Sequence, residues 1–469
     1  MTRKVVSVYL QTQIVRAKSE ALPPIHGSKS EIRWRLYVEL LLLDCICITA
    51  LLVLTEGLFQ ESWFSRDAIN LVAMIVPIYV GAAVNSNAYS LRALTQPLQA
   101  AVKAALNIAF TMLAVQCVLY FAHVSDAFAR LPFAVGILCS AILLPALRKP
   151  FGQHALTRAQ GTLTNELIIS DGVPGDRMPR TDILDAELHK LRPDLSDPYM
   201  LNRLGRWLRT FDRVVVACPA ERRSAWTIVL QGAAVQGEIM LMDDSNAGAI
   251  GIGRCFDHDT HIVSKGPLNM ANRLQKRLFD LALTVPALLL LSPLLILTAI
   301  AIKLESPGPV LFFQDRVGLG NRLFKIAKFR SMRAESSDLG GARSASRSDD
   351  RITRVGRFIR RTSIDELPQL FNVVMGDMSI VGPRPHALAS TADRKLFWEV
   401  SQNYWRRHAL KPGMTGLAQV RGFRGATEKV EDLENRLMAD LEYLRDWSLL
   451  HEIMIILKTF KVLIHKNAY

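Results

Sequence analysis

The residues best suited to chemistry lie in the C-terminal third of the sequence, where basic side chains are dense. Between residues 315 and 361 there are 13 Lys and Arg residues against 5 Asp and Glu, in a chain whose formal net charge is +14. Such a segment favours anionic partners, namely nucleic acid, phospholipid headgroups or phosphorylated substrates. Nucleic acid is the weakest of these, because interleaved stacking aromatics and a recognisable reader module are lacking.

Two adjacent carboxylates, Asp365 and Glu366, follow this basic segment directly. The residues alone leave two interpretations open. In the first, Ser363 caps a helix whose first turn carries both acids, where negative charge complements the helix dipole. In the second, the pair takes part in catalysis on a phosphate, and the two are compatible because a helix N-terminus also stabilises bound phosphate.

The N-terminal third of the sequence predicts a membrane domain. The chain is 50% hydrophobic and 21% charged with a mean hydropathy of +0.17, which excludes a disordered chain and disfavours a wholly water-soluble one. Apolar segments at residues 37–55, 68–84, 100–122 and 131–147 each approach the roughly 20 residues that a spanning helix needs. We therefore expect a domain of residues 1–150, with an N-terminal cytoplasmic segment and four transmembrane helices.

The flanking charges give an orientation for these helices. Residues 1–35 contain seven basic and two acidic residues, and further basic residues follow the fourth segment. The positive-inside rule then places the N-terminus, and everything after residue 150, in the cytoplasm. The six cysteines include no C-x-x-C pair, so neither a structural zinc site nor a disulfide framework is indicated.

Residues 151–265 have the pattern of a small cytoplasmic α/β domain. Strand-like runs at Glu166–Ser170, 213–218 and 238–242 alternate with helix-compatible stretches, which predicts a Rossmann-like domain with a parallel sheet. The turn after the first strand, residues 171–175, lacks the G-x-G-x-x-G spacing that seats a pyrophosphate. This favours a degenerate nucleotide-binding fold used in assembly or regulation, with cofactor binding as the alternative.

A fifth apolar segment, residues 277–303, differs from the other four. Lys276 precedes it and Lys303 ends it, so both of its ends have cytoplasmic flanks. Ser292 and Pro293 stand near its middle, and proline removes a helical hydrogen bond and favours a bend. We predict a re-entrant helix that enters the bilayer, breaks at this pair and returns. An ordinary kinked spanning helix is the alternative.

Five short motifs follow one another in this last part of the chain. They are S-P-G-P-V at 306–310, K-F-R-S-M at 328–332, T-S-I-D-E-L-P-Q-L at 362–370, V-G-P-R-P at 381–385 and K-P-G-M-T-G at 411–416. Together they resemble the bacterial sugar transferase family, the monotopic polyprenyl-phosphate sugar-phosphate transferases. The resemblance covers about residues 270–469 and implies a mainly α-helical catalytic domain over residues 266–469. Leu417 and Glu452 depart from it, since tryptophan and aspartate are usual at those positions.

The resemblance also implies roles for individual residues. Asp365 would be the nucleophile, and Glu366 a ligand of a catalytic Mg²⁺ ion, with Mn²⁺ as an alternative. A carboxylate can attack phosphorus and split one hard transfer into two easier ones, but its repulsion from a pyrophosphate must be offset by cations. Four basic residues are predicted to bind the substrate phosphates: Lys328, Arg330, Arg360 and Arg384. For Lys328 and Arg330, contact with lipid headgroups is the alternative.

The implied reaction transfers a hexose-1-phosphate from a UDP-sugar to undecaprenyl phosphate and releases UMP. The product, undecaprenyl-diphosphate-sugar, would start repeat units of exopolysaccharide, O-antigen or capsule. Expected partners are the UDP-sugar, undecaprenyl phosphate, membrane lipids, a second copy of the chain and downstream polysaccharide-assembly proteins, but no nucleic acid. The expected location is the bacterial inner membrane. A catalytically degenerate scaffold is the main alternative, and a transporter is disfavoured by few intramembrane charges.

Overall fold

The computed structural model describes residues 29–60, 63, 66–121, 130–173, 183–240, 249–255, 258–333, 351–423, 427 and 429–464. The chain forms two compact units. One is His26–Asn165. The other comprises the described residues of Glu166–Tyr469.

The described part of the first unit consists of helices joined by short turns. Its helices are α1 (Lys29–Gln60), α2 (Arg66–Asn85), α3 (Leu91–Thr95), α4 (Pro97–Phe121) and α5 (Arg130–Arg158). All four apolar segments predicted from the sequence fall in α1, α2, α4 and α5, apart from residue 122, which is outside the described residues. By length and composition, α1, α4 and α5 are able to cross a membrane, whereas the apolar part of α2 is shorter.

A buried polar cluster joins three of these helices. The Asp44 carboxylate on α1 accepts hydrogen bonds from the hydroxyls of Tyr79 and Tyr89, both at 2.9 Å. Arg148 on α5 donates to the same carboxylate oxygen at 2.6 Å. Because an isolated charge among apolar helices is costly, removing either Asp44 or Arg148 would leave the other uncompensated and weaken this packing.

The second unit begins with residues 166–264, here called the α/β segment. Its elements are β1 (Glu166–Ser170), β2 (Ile183–Asp185), α6 (Pro198–Leu208), β3 (Arg213–Ala217), α7 (Arg223–Gly232), β4 (Gln236–Met240), β5 (Gly251–Cys255) and β6 (His258–Ser264). The strand order is β2-β1-β3-β4-β6-β5, with the first four strands parallel and β6 antiparallel to both of its neighbours. The predicted parallel alternation is therefore confirmed, but the added antiparallel hairpin was not predicted and a Rossmann-like topology is not confirmed.

Asp171 occupies the end of β1, where a dinucleotide fold would place its phosphate loop. Its buried carboxylate accepts hydrogen bonds from Arg192 Nε and Trp226 Nε1, both at 2.9 Å, and from Arg222. The side chain thus ties the turn after β1 to α7. Residues 174 and 175 of the predicted turn, and residues 241 and 242 of the predicted third strand, lie outside the described residues.

The C-terminal segment is a mixture of helices and short strands. Its elements are α8 (Met270–Glu305), β7 (Leu311–Val317), β8 (Leu323–Phe329), α9 (Arg354–Arg361), α10 (Gln369–Met375), β9 (Ser379–Val381), β10 (Thr391–Ala392), β11 (Lys395–Leu396), α11 (Phe397–Val400), β12 (Gly413–Thr415), α12 (Leu417–Val420), α13 (Val430–Arg445) and α14 (Leu449–Ile464). Helices predominate as predicted. The sequence does not predict the antiparallel hairpin of β7 and β8, because its basic residues have the pattern of a charged surface segment.

Helix α8 contains the fifth apolar segment and is also long and apolar enough to cross a membrane. It continues through Ser292 and Pro293, and Ser292 Oγ donates to the Leu289 carbonyl at 2.8 Å. The predicted break at this pair is therefore not confirmed. At the base of the helix, Lys276 pairs with buried Glu452 and donates to the Val381 carbonyl at 3.0 Å.

The α/β segment and the C-terminal segment share one hydrophobic core. Trp226 of α7 and Val214 of β3 lie in the same buried cluster as Phe397, Tyr404 and Trp405 from the C-terminal segment. The boundary predicted near residue 265 falls between β6 and α8, inside this unit. The burial of large aromatic side chains across that boundary stabilises the packing of the two segments against each other.

Candidate active site

The centre of the site is the carboxylate of Glu366. Lys328 Nζ and Arg384 Nη2 each lie 2.9 Å from Glu366 Oε1, and all three side chains are between 22% and 29% exposed. Burial by itself would raise the pKa of Glu366, but the positive charges of Arg384 and Lys328 outweigh it and hold the pKa well below its usual range. Glu366 is therefore ionised throughout the physiological pH range.

Asp365 lies beside this cluster, and its pKa is shifted in the opposite direction to that of Glu366. Burial raises the pKa of Asp365 to about 6, and the negative charge of Glu366 acts in the same direction. The charges of Lys328 and Arg360 oppose the shift, which places both of these cations near the carboxylate. A carboxylate that is poorly stabilised yet still mostly ionised near pH 7 is suited to act as a nucleophile.

A tight turn presents the two acids. Asp365 and Glu366 form a 3₁₀ turn, Ile364–Glu366, between α9 and α10. Ser363 precedes it with φ 57°, a left-handed conformation that is uncommon for a residue with a side chain. Ser363 thus stands where the sequence predicts a cap, but its side chain makes no capping hydrogen bond, and α10 begins only at Gln369.

The β-hairpin positions Lys328. In the hairpin, Lys328 on β8 is opposite Phe312 on β7. Asn372 of α10 fastens the strand, because its Oδ1 accepts from Ala327 N at 2.9 Å and its Nδ2 donates to the Lys325 carbonyl at 2.8 Å. Helix α10, which follows the acidic turn, therefore holds strand β8, which carries the Lys328 cation that pairs with Glu366.

Arg384 belongs to a loop of residues 381–385, the Arg384 loop, whose backbone is held at both ends. The Val381 carbonyl accepts from Lys276 Nζ at 3.0 Å and from the Tyr443 hydroxyl at 3.1 Å. The Arg384 carbonyl accepts from Arg407 Nη2 at 2.7 Å. Fixing the backbone on both sides limits the positions available to the guanidinium that meets Glu366.

The structure gives Arg330 a different environment from the other predicted site residues. Its side chain is 4% exposed, and Nη1 donates to the Pro307 carbonyl at 2.8 Å. Nη2 donates to the carbonyl and the hydroxyl of Ser306 at 2.7 and 2.8 Å. Arg330 therefore joins the K-F-R-S-M motif to the S-P-G-P-V motif, at the loop that follows α8, rather than to Glu366.

Arg316 is a neighbour of the site that sequence reasoning did not single out. Burial, and then the charge of Arg384, lower its pKa to about 10. Its Nη2 donates to Gln314 Oε1 at 2.5 Å, and its backbone bridges to Ala387 just after the Arg384 loop. Nothing in its spacing distinguishes it from the other basic residues of 315–361. Only the folded hairpin brings it to the site.

Two histidines near the site, His386 and His408, are buried. His386 is 6% exposed, and burial, reinforced by Arg407, lowers its pKa well below the usual value. His408 is 3% exposed, and its Nδ1 lies 2.7 Å from Asn321 Oδ1. Both rings serve as neutral packing groups beneath the cationic cluster.

The donor set is compatible with Mg²⁺, provided that the substrate completes the coordination. Asp365 and Glu366 offer hard carboxylate oxygens, but among the described residues no group of three or more His, Cys, Asp or Glu side chains could hold a metal ion. Mg²⁺ is commonly bound by one or two carboxylates together with substrate phosphates and water. The residues present fit that type of site.

The acidic turn is surrounded by cations, an arrangement suited to anionic ligands. The unit that contains it also contains a helix long and apolar enough to cross a membrane. The family model described as bacterial sugar transferase matches residues 271–466. The chain belongs to this family. The matched range contains the acidic turn, the hairpin and the Arg384 loop.

Individual relatives show the same similarity. An undecaprenyl-phosphate glucose phosphotransferase of Komagataeibacter xylinus is 51% identical over 209 residues, which are 44% of this chain and 39% of that protein. A UDP-glucose:undecaprenyl-phosphate glucose-1-phosphate transferase of Caulobacter vibrioides is 50% identical over 208 residues, 44% of this chain and 76% of that protein. The exopolysaccharide production protein PSS of Rhizobium leguminosarum bv. phaseoli is 47% identical over 184 residues, 39% of this chain and 92% of that protein. The chain thus spans about two fifths of the Komagataeibacter protein but most of the other two.

Proposed function

We propose that the protein transfers a hexose-1-phosphate from a UDP-sugar to undecaprenyl phosphate, releasing UMP and starting repeat units of exopolysaccharide, O-antigen or capsule. The observation that carries this proposal is the Asp365-Glu366 turn held among Lys328, Arg360 and Arg384. The names of the Komagataeibacter and Caulobacter relatives both contain glucose and undecaprenyl phosphate. UDP-glucose is therefore the first donor to test.

The reaction proceeds in two displacements at one phosphorus atom. An oxygen of Asp365 attacks the phosphorus that bears the sugar, the bond to the bridging oxygen breaks, and UMP leaves with the electron pair. The enzyme then carries the sugar phosphate as an acyl phosphate. A phosphate oxygen of undecaprenyl phosphate attacks the same phosphorus, the bond to Asp365 breaks, and the free carboxylate is restored.

The surrounding cations lower the barrier to an attack by one anion on another. Lys328, Arg360 and Arg384 offset the charge on the phosphates, and the planar guanidinium groups suit phosphate oxygens in pairs. Glu366 would hold Mg²⁺, which would neutralise phosphate charge and polarise the phosphorus–oxygen bonds. Glu366 also pairs with Lys328 and Arg384, and this pairing orients both cations beside Asp365.

Helix α8 accounts for access to a lipid substrate. In this proposal it is re-entrant, with both ends at the cytoplasmic face of the bacterial inner membrane, so that a cytoplasmic site meets the polyprenyl phosphate at the interface. The helices α1, α2, α4 and α5 anchor the chain, and its functional form is a homodimer in contact with later assembly proteins.

The direct test is release of UMP by the purified full chain in detergent, with UDP-glucose, Mg²⁺ and undecaprenyl phosphate. The proposal expects UMP and lipid-linked sugar phosphate in equal amounts. A degenerate scaffold would release neither product from UDP-glucose or from a panel of other UDP-sugars. Failure across that panel, with protein that remains folded, would reject the enzyme in favour of the scaffold.

A further inference from the structure

The 3₁₀ turn Gln402–Ala409, here called the 402–409 turn, lies between the α/β segment and the Arg384 loop. Its side chains reach both. Trp405 is fully buried, and its Nε1 donates to the Leu195 carbonyl at 2.9 Å, in the loop before α6. The backbone of Trp405 also lies against the end of α7, because a Cβ added at Gly232 would stand only 2.6 Å from the Trp405 carbonyl oxygen.

On its other side, the same turn holds the Arg384 loop through Arg407. The Arg407 side chain is 1% exposed, with Nη2 at 2.7 Å from the Arg384 carbonyl and at 2.6 Å from Asp440 Oδ2. Its Nη1 lies 2.7 Å from His386 Nδ1. Because both terminal nitrogens of the planar Arg407 guanidinium have partners, the side chain has little conformational freedom. The position of Arg407 therefore determines where the Arg384 backbone can lie.

The α/β segment also contacts the hairpin that carries Lys328, the other cation paired with Glu366. Asn202 of α6 accepts a hydrogen bond from Leu323 N at 2.8 Å, at the first residue of β8. Five residues further along this strand, Lys328 meets Glu366. A Cβ added at Gly205 would overlap the Gly320 carbonyl oxygen, so α6 and the hairpin turn also pack backbone to backbone. The elements that carry both cations of Glu366 are thus braced by the α/β segment.

We propose that Arg407 is a positioning residue for Arg384, and that the α/β segment sets its position through Trp405. This inference rests on the proposed function, since it concerns the geometry of that reaction. The α/β segment is then part of the working enzyme, and a displacement of α7 moves the Arg384 guanidinium relative to Glu366 and the substrate phosphates. Small errors in the placement of reacting groups cost catalysis far more than binding.

Two conservative substitutions in the full chain test the proposal. Trp405→Phe keeps an aromatic ring but removes the donor to Leu195, and Asp440→Asn keeps the shape of the partner of Arg407 but removes its charge. The matched control is Glu442→Gln, two residues further along α13, in an exposed ion pair with Arg421 at 2.6 Å. We expect both test variants to lower kcat for UMP release roughly 10- to 100-fold, with KM for UDP-glucose changed less than about threefold. The control should match the wild type in both constants.

A double-mutant cycle separates positioning from a general loss of stability. If Arg407 acts through Arg384, Arg407→Lys should lower kcat strongly in the wild-type background but less than about threefold in the Arg384→Lys background. Fully multiplicative effects would overturn the inference, as would wild-type kcat in Trp405→Phe and Asp440→Asn. Should Arg407→Lys fail to fold, those two variants decide the matter. Absence of UMP release by the wild type would overturn the proposed function and this inference together, whereas active wild type with unaffected variants would overturn the inference alone.

Discussion

The guanidinium of Arg330 binds Ser306 through two hydrogen bonds, in which Nη2 donates to the carbonyl and the hydroxyl of Ser306 at 2.7 and 2.8 Å. Ser306 directly follows the last residue of α8, and Arg330 directly follows β8, two positions after Lys328. The end of the apolar helix is thereby fastened to the strand that supplies a cation to Glu366. The position of the C-terminal end of α8 and the position of the site are linked through this contact.

Replacing Arg330 by alanine should destabilise the protein more than it weakens substrate binding. The variant leaves the carbonyls of Ser306 and Pro307 without their donor, which costs about 2–3 kcal/mol. We expect a lower Tm in detergent and lower kcat, with KM for UDP-glucose nearly unchanged. A large rise in KM at an unchanged Tm would instead indicate that Arg330 contacts the substrate phosphate, as the sequence predicts.

Asp365→Asn should abolish turnover while leaving the protein folded and in the membrane. The change is nearly isosteric, but an amide is a poor nucleophile and forms no acyl phosphate. Incubation with UDP-glucose labelled in the sugar should therefore leave label on acid-quenched wild-type protein, and none on the variant. Full activity of Asp365→Asn would rule out the covalent mechanism.

The raised pKa of Asp365, about 6, predicts opposite effects of pH on activity and on stability. The nucleophile must be ionised, so kcat/KM should fall roughly tenfold per unit as the pH drops below this pKa. Because the folded-state pKa lies above the unfolded value of about 3.9, the native state binds the proton more tightly. Folding stability contributed by this group is thus present at low pH and lost as pH rises through 6.

Asp365→Asn provides the control for this pH dependence, since it removes the titrating group. Its Tm should exceed that of the wild type at pH 7, and the difference should vanish near pH 4. A kcat/KM profile for the wild type that is flat between pH 5 and 8 would show that Asp365 does not titrate in this range.

Sequence patterns specified those parts of the molecule that depend on local periodicity and charge. The apolar runs predict α1, α2, α4 and α5, and the motifs that carry the family resemblance group Asp365, Glu366, Lys328 and Arg384, of which the last three are in contact. Arg330 shows the limit, because a basic residue in a basic segment can face phosphate, a lipid headgroup or a backbone carbonyl. The packing of Trp405 against α7 brings together positions about 170 residues apart, a relation that no short-range pattern encodes.

The path of α8 through the membrane can be tested by cysteine labelling at its two flanks. Lys276 is unsuitable as a probe site because it is 5% exposed and paired with Glu452. Lys265 lies five residues before α8 and Lys303 in its last turn, and both are exposed. In a variant without the native cysteines, Lys265→Cys and Lys303→Cys should both react with a membrane-impermeant reagent applied from the cytoplasmic side. Labelling of the two from opposite sides would establish a spanning helix.

Removal of divalent metal should distinguish the role of Glu366 from that of Asp365. Chelation of Mg²⁺ should stop UMP release by the wild type, and adding Mg²⁺ back should restore it.

Glu366→Gln loses the charge that attracts the metal, so we expect its half-saturating Mg²⁺ concentration to rise at least about tenfold, with residual activity at high Mg²⁺. It also loses the charge that holds Lys328 and Arg384, so kcat should remain below the wild type even at saturation. Glu442→Gln, in its exposed pair with Arg421, should keep the wild-type Mg²⁺ requirement. An unchanged Mg²⁺ requirement in Glu366→Gln would mean that the metal is held elsewhere and that Glu366 serves only to orient the two cations.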